Sequence, residues 1–266
     1  MLRIGEDGLG VTGLADALLM LGLRYDTLDA RARAAAIART MRDAAYGASV
    51  DLAREKGPFP LFDAERYLAS DFAARLPAPL RERIREHGLR NSHLLSVAPT
   101  GTISLAFADN ASNGIEPPFS WTYTRRKRRA DGGHDEYRVE DHAYRQYRET
   151  GGDTAHLPGH WVTALEITAI DHMRMLEAVQ PWVDAAISKT VNVPADYPFT
   201  DFRDLYLHAW RAGLKGLATF RPNPVTGSVL SVEPPPAETL APEPRPGPTG
   251  TPLALPQLMK SATIRK

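Results

Sequence analysis

The sequence has no cysteine among its 266 residues. Disulfide bonds, thiolate metal sites and thiol or thiyl-radical chemistry carried by this chain are therefore excluded. Charges of the two signs are equal in number, 32 Lys and Arg against 32 Asp and Glu, so no net charge draws the chain to nucleic acid or to a membrane surface. No apolar run approaches the roughly 20 residues that a membrane-spanning helix needs. The first ten residues lack a basic-then-apolar signal pattern, which predicts a cytoplasmic protein.

The composition changes sharply at residue 232. Hydrophobic residues make up 43% of the chain, enough to bury a sizeable core, and residues 1–232 alternate apolar segments with turn signals. Nine prolines follow within the 24 residues of Glu233–Pro256. Each proline removes a backbone donor and fixes φ, so residues 233–266 are predicted to form a disordered, proline-rich tail behind a folded domain of residues 1–232.

Apolar spacing within residues 1–232 predicts helices that alternate with short strands. The predicted helices contain Leu14 to Leu21 with Thr12 as N-cap, Ala34 to Leu52 with a stop at Gly57, Leu80 and Ile84 with a stop at Gly88, Met173 to Val179 with a capping box at Thr168, and Phe202 to Ala209. The predicted strands are Leu94–Ala98, Ala186–Val193 and Gly216–Phe220. Tyr206 and Trp210, at helical spacing, are predicted to lie in the core. This alternation is typical of an α/β fold with parallel strands.

The segment Leu94–Phe107 carries the clearest chemical signal. A hydrophobic strand leads into a loop of proline, glycine and hydroxyl residues, and an apolar stretch follows. If that stretch is helical, free N–H groups at Gly101 and Thr102 and the positive end of the helix dipole form an anion site. Hydroxyl groups of Thr100, Thr102 and Ser104 add donors, and Gly101 lets a phosphate approach the backbone.

An ordinary threonine-capped turn is the commoner explanation of such a loop when the residues are considered alone. The loop is also not a Walker A motif, because no Gly-Lys-Ser/Thr follows it.

Five segments, in a fixed order, resemble ribonucleotide reductase large subunits. They are Gly8–Asp16, Ala98–Ser104, Asn113–Pro117, Ile187–Pro194 (preceded by Gln180-Pro181) and Gly213–Asn223. The second segment is similar to the family's substrate-phosphate loop. The resemblance therefore implies that substrate phosphates bind at Pro99, Thr100, Gly101, Thr102, Ile103 and Ser104. It assigns no catalytic residue and no metal ligand to this chain.

The final segment discriminates between subclasses of the family. Reductases that take their radical from a separate di-metal subunit carry a tyrosine pair on the last barrel strand, whereas Ala218 and Thr219 stand here and cannot form a tyrosyl radical. The resemblance thus favours the class that cleaves adenosylcobalamin, and it implies adenosylcobalamin as the cofactor of the complete enzyme.

The resemblance implies the C-terminal half of a ten-stranded α/β barrel. The family's radical and redox cysteines precede the first matching segment, and its C-terminal cysteine pair is missing as well. We therefore expect a truncated, split or pseudogene-derived product that binds nucleotide but is inactive alone. Its expected partners are a nucleotide substrate and a separate N-terminal reductase half or a second copy. A non-catalytic nucleotide-binding remnant and a decayed fragment without function are the alternatives.

Several charged residues admit two interpretations. The basic run Arg125–Arg129 suits phosphate or nucleic-acid contact, but a solvated surface loop is preferred because Asp131 and Asp135 follow closely. The histidines show no regular metal-ligand spacing and are predicted to be surface or structural residues. His93 alone is kept as a site candidate beside the phosphate loop. Glu116 is expected to hydrogen-bond backbone near the loop rather than to act in catalysis.

Overall fold

A computed structural model describes residues 6–129 and 133–222, in which helices and strands alternate. The helices are α1 (Leu14–Met20), α2 (Leu28–Lys56), α3 (Ala64–Leu68), α4 (Ala78–His87), α5 (Gly101–Phe107), α6 (His142–Glu149), α7 (Ala169–Val179) and α8 (Phe199–Arg211). The strands are β1 (Glu6–Leu9), β2 (His93–Leu95), β3 (Thr122–Arg128), β4 (His134–Glu140), β5 (Thr190–Asn192) and β6 (Ala218–Phe220). This order confirms the predicted α/β class.

Four parallel strands form a row in the order β1, β2, β5, β6. β1 pairs with β2 and β5 pairs with β6, both in parallel. A parallel bridge between Val97 and Ile187 joins the two pairs, and the Ser188 N–H donates to Val97 O at 2.8 Å beside it. The predicted strands around Leu94 and Val191 are therefore present, with shorter regular parts. Within residues 6–129 and 133–222 the row stays open, with β1 and β6 as its outer strands.

The longest helix, α2, packs against α4 and α7. It begins where the Thr27 hydroxyl accepts the Ala30 N–H at 3.3 Å. It ends, as predicted, at Gly57, whose φ of 78° favours glycine. Ala34 and Ala38 are buried, and their small side chains let neighbouring elements approach the helix closely. Leu52 lies partly at the surface.

The two predicted threonine caps have different outcomes. The Thr168 hydroxyl accepts the Asp171 N–H at 3.2 Å and opens α7, which confirms that cap. The cap predicted at Thr12 is wrong. Gly13, at a φ of 77°, precedes α1, and the Thr12 hydroxyl instead donates to Ser112 O at 2.9 Å. A contact distant in sequence has replaced the local one.

Helix α8 corrects the prediction that Tyr206 and Trp210 lie in the core. Its buried side chains are Leu205 and Ala209, whereas Trp210 is 77% exposed and Tyr206 is 40% exposed. The Tyr206 hydroxyl lies 3.1 Å from the Thr219 hydroxyl. Only one narrow face of α8 meets the rest of the fold, and the adjacent aromatic residues fall outside it.

The basic run is not a loop, which corrects a second prediction. Arg125 to Arg128 lie on β3, which pairs antiparallel with β4. The register sets Arg126 opposite Glu136 and Lys127 opposite Asp135. The register therefore pairs acidic positions with basic ones across the hairpin, on two strands rather than in a loop.

The predicted boundary after residue 232 and the tail 233–266 fall outside the described residues. Within residues 6–129 and 133–222 no helix has the length and apolar character needed to cross a membrane.

Candidate phosphate-binding site

A cavity of about 380 Å³ opens along β5, from Ser188 just before the strand to Asn192 at its end, and reaches Phe220 at the end of β6 and the segment that follows β2. Its lining in the described part of the chain consists of Pro99, Asn110, Ala111, Ser112, Asn113, Glu116, Pro117, Pro118, Phe119, Ser120, Tyr123, Asp141, Ala164, Ser188, Thr190, Asn192 and Phe220.

The predicted loop borders this cavity through Pro99, and α5 begins at Gly101 as the sequence predicted. The first N–H of the helix to find a backbone partner is that of Ser104, which donates to Thr100 O at 2.7 Å. Within the described residues the N–H groups of Gly101 to Ile103 have no hydrogen-bond partner. Three donors are therefore free in the segment that follows the cavity-lining Pro99. The helix has only seven residues, so these local N–H groups matter more than its dipole.

The three loop hydroxyls differ in what they contact. The Thr12 hydroxyl donates to Ser112 O, so its contact with Thr100 at 2.9 Å requires Thr100 to be the donor. Thr100 also accepts the Gly114 N–H at 2.8 Å. The buried Ser104 hydroxyl donates to Ala111 O. Thr102 is exposed, and its hydroxyl has no partner within residues 6–129 and 133–222. Of the three, Thr102 remains available to a ligand.

Gly101 leaves the approach to these N–H groups open. Its φ is not in the left-handed region, and a Cβ added there would meet only Asn113 Nδ2, at 3.7 Å, which is ordinary contact. The backbone strain sits one residue earlier, at Thr100, whose φ is 55°. Gly101 is therefore not needed for the backbone conformation.

Close backbone packing holds the loop in place. Gly114 has a φ of 54°, and a Cβ there would lie 3.0 Å from Ala98 O. A Cβ on Gly10 would collide with Ser96 O. The glycines of the first and third resembling segments thus allow β1 and the turn at Gly114 to pack directly against the backbone that precedes the loop.

A buried lysine anchors Glu116 on the cavity wall. Lys189 Nζ donates to Glu116 Oε2 at 2.7 Å, His172 Nδ1 at 2.8 Å and Thr190 O at 2.8 Å, so all three ammonium hydrogens are used. The Thr190 N–H donates to the other carboxylate oxygen, Oε1, at 2.5 Å. His172 Nε2 donates to Ala164 O at 2.9 Å, which leaves Nδ1 free to accept. The expected contact of Glu116 with backbone is confirmed.

Burial sets the protonation of this cluster. It lowers the pKa of Lys189, and the adjacent Glu116 carboxylate opposes that change. Burial and the Lys189 charge together lower the pKa of His172 to about 3, so the imidazole is neutral. The sequence offered one signal that was missed. A lysine inside the predicted strand Ala186–Val193 must be buried, and a buried ammonium needs acceptors.

A pair of buried carboxyl groups lies at the opposite wall. Asp141, which lines the cavity, accepts the Tyr144 N–H at 3.1 Å and caps α6. Its carboxyl group contacts that of Asp16, whose Oδ2 accepts the Ser112 N–H at 3.2 Å. Burial raises the pKa of Asp141 to about 8, with the Asp16 charge adding to the effect, and burial also raises the pKa of Asp16. The pair shares a proton at neutral pH. No local pattern signals it.

His93 does not lie beside the phosphate loop, contrary to expectation. It begins β2, whereas the loop follows the other end of that strand. His93 is exposed and lines a separate cavity with Tyr46 and Asp184. Across the described residues no group of three or more histidine and acidic side chains is placed to hold a metal ion.

Comparison with known proteins identifies the class. Residues 5–220 match the family model described as the ribonucleotide reductase barrel domain. The chain therefore belongs to the ribonucleotide reductase family, and its matching region corresponds to the barrel of the large subunit.

The similar proteins include vitamin B12-dependent reductases. The chain is 37% identical over 243 residues to the vitamin B12-dependent ribonucleoside-diphosphate reductase of Mycobacterium tuberculosis (strain H37Rv), covering 84% of this chain and 31% of that protein. The chain is 29% identical over 289 residues to the vitamin B12-dependent ribonucleotide reductase of Streptomyces coelicolor, covering 87% of this chain and 29% of that protein. It is 29% identical over 257 residues to the vitamin B12-dependent ribonucleoside-diphosphate reductase of Thermoplasma acidophilum, covering 89% of this chain and 30% of that protein. The chain thus spans about three tenths of these relatives.

Proposed function

We propose that this chain supplies the substrate-phosphate-binding part of a vitamin B12-dependent ribonucleotide reductase, which makes deoxyribonucleotides for DNA synthesis. The observation that carries the proposal is the set of three unpartnered N–H groups from Gly101 to Ile103, which closely follow the cavity-lining Pro99 in the chain. They lie in the segment that resembles the family's phosphate loop. Phosphate oxygens are suitable acceptors for such groups, and the cavity volume of about 380 Å³ falls in the range of small-molecule sites.

The open row of strands supports an incomplete barrel. In this proposal β1, β2, β5 and β6 belong to the C-terminal half of the family's ten-stranded barrel, and another polypeptide completes it. Unpaired outer strands favour pairing with further strands. Because thiyl radicals and reducing electrons both require thiols, the chemistry needs cysteines from outside this sequence, which has none.

Adenosylcobalamin does not fit the cavity described above. A corrin with its axial groups is several times larger than a nucleotide, and a volume of about 380 Å³ cannot enclose it. Any contact with cobalamin therefore requires surface beyond this cavity.

A non-catalytic nucleotide-binding role is the second candidate. The same N–H groups support it, and the lack of cysteine favours it, because binding needs no thiol. Deoxynucleotide formation by this chain mixed with a cysteine-bearing N-terminal reductase half would exclude this second role.

Binding of inorganic pyrophosphate, measured by calorimetry, tests the phosphate site. The Gly101→Val variant places two methyl groups over the free N–H groups, and we expect at least a tenfold loss of affinity. Its backbone should be tolerated because the added Cβ meets no closer neighbour than Asn113 at 3.7 Å. Gly159→Val is the matched control, since a Cβ there meets nothing within 4 Å. Unchanged affinity in a folded Gly101→Val variant would assign the loop a structural role only.

A further inference from the structure

The charged groups of the cavity wall are carboxyl groups. Among the described residues that line it there is no lysine or arginine, and the acidic ones are Glu116 and Asp141. Burial and the Asp16 charge raise the pKa of Asp141 to about 8, whereas the Glu116 carboxylate pairs with the Lys189 ammonium at 2.7 Å. A phosphate deep in the cavity would be repelled by this carboxylate. The phosphate end of a ligand therefore belongs at Gly101, and a part rich in hydrogen-bond donors belongs at Glu116.

The Glu116 carboxylate is hydrogen-bonded to Lys189 and Thr190 and is still partly exposed to the cavity. Lys189 occupies Oε2 and the Thr190 N–H occupies Oε1. Each carboxylate oxygen accepts more than one hydrogen bond, so both retain acceptor capacity. The Lys189 side chain is fully buried, whereas a fifth of the Glu116 side chain is exposed and lines the cavity.

A tight turn links this carboxylate to the phosphate end. The Glu116 N–H donates to Asn113 O at 2.7 Å, and the side-chain amide of Asn113 lies beside Gly101. Both residues line the cavity. Asn113 therefore connects the segment that carries Glu116 with the start of α5, where the unpartnered N–H groups lie.

We propose that Glu116 accepts hydrogen bonds from sugar hydroxyl groups of the nucleotide whose phosphates occupy the Gly101 loop. The proposal rests on the proposed nucleotide-binding function and assigns Glu116 as a specificity-determining residue. Hydroxyl groups are neutral donors, so they complement a carboxylate whose Oε2 already accepts from the buried Lys189 ammonium.

The test measures binding of ADP, 2′,3′-dideoxy-ADP, adenosine and inorganic pyrophosphate by calorimetry. Glu116→Gln keeps an acceptor for the Thr190 N–H but removes the charge. Because the buried Lys189 would then lack its counter-ion, a second variant combines Glu116→Gln with Lys189→Met and so removes both charges. Glu82→Gln is the matched control, since Glu82 lies on α4 and does not line the cavity. Thermal melts establish that each variant is folded.

We expect the affinity for ADP to fall by about 10- to 100-fold in both Glu116 variants, the scale of a lost hydrogen bond to a charged group. Affinities for pyrophosphate and for dideoxy-ADP should stay at their wild-type values. Equal losses for pyrophosphate and ADP would overturn the proposal, because Glu116 would then shape the phosphate loop. Unchanged ADP affinity would also overturn it. Glu116-dependent binding of adenosine without pyrophosphate binding would refute the phosphate loop and support the role of Glu116.

Discussion

Thr100 shows how a single residue can be tied down by distant contacts. Its φ of 55° is unfavourable for a β-branched residue, at a cost on the order of 1–2 kcal/mol. Hydrogen bonds to the Thr12 hydroxyl and the Gly114 N–H hold it there. Thr12, Thr100 and Gly114 belong to three different segments that resemble the reductase family. The loop conformation is thus maintained by the tertiary structure around it.

Removing the Thr102 hydroxyl should weaken phosphate binding, whereas removing the Ser104 hydroxyl should lower the stability of the fold. Thr102→Ala removes an exposed, unpartnered donor, so we expect unchanged stability and a loss of phosphate affinity of about 1 kcal/mol. Ser104→Ala removes the donor to Ala111 O in a buried position and should lower the free energy of unfolding by about 1–3 kcal/mol. Urea unfolding and pyrophosphate calorimetry measure the two effects. The reverse pattern would mean that Ser104 contacts the ligand.

The carboxyl pair makes stability depend on pH. The folded chain keeps a proton on Asp141 up to a pKa of about 8, whereas an unfolded aspartate releases it near 3.8. The folded state therefore binds more protons across this window, and the free energy of unfolding contributed by the pair falls as pH rises from about 4 to about 8.

Asp141→Asn should remove most of this slope, because an amide replaces the protonated acid without a charge. We expect the melting temperature of the variant to exceed that of the wild type at pH 9 and to lie closer to it at pH 5. His142 interacts with Asp16 rather than with Asp141, and this interaction is present in both proteins. Asp153→Asn, at an exposed aspartate with a lowered pKa, is the control. An unaltered pH slope in Asp141→Asn would show that the pair does not share a proton.

Helix α7 is the element on which the Glu116 anchor depends, since it carries His172. Thr168→Ala removes the N-cap hydroxyl and should cost about 1 kcal/mol of stability. The matched control is Thr40→Ala, because the exposed Thr40 hydroxyl only donates back to Ala36 O within α2 and its loss should be nearly neutral. Chemical denaturation compares them. Equal stability of both variants would rule out a capping contribution.

For the whole molecule, the lack of cysteine leads to a functional prediction. The purified chain with adenosylcobalamin and dithiothreitol should form no deoxynucleotide, because no residue of this sequence can become a thiyl radical. Product analysis by chromatography is the measurement, with a complete B12-dependent reductase as the positive control. Deoxynucleotide formed by the chain alone would be inconsistent with the proposed division of labour.

Local patterns predicted those parts of the fold that neighbouring residues decide. The stop of α2 at Gly57, the cap at Thr168 and the start of α5 at Gly101 each depend on a few adjacent residues, and all three are present. The failures, at Thr12 and Trp210, have one cause. Capping and burial there depend on what packs against the residue, which helical spacing does not contain.

The sequence by itself determined the family, the α/β class and the position of the hydroxyl-rich loop before α5, because each resides in short contiguous segments whose residue types are sufficient. Only the tertiary structure decided which groups of that loop are free. The Thr100 hydroxyl is hydrogen-bonded to the distant Thr12, and the Ser104 hydroxyl donates to Ala111 O beyond the end of α5, whereas the Thr102 hydroxyl has no partner among the described residues. Only the tertiary structure brought Glu116 into contact with Lys189 and Asp16 into contact with Asp141. Burial then set their protonation, since the cost of a charge depends on the solvent that surrounding elements exclude.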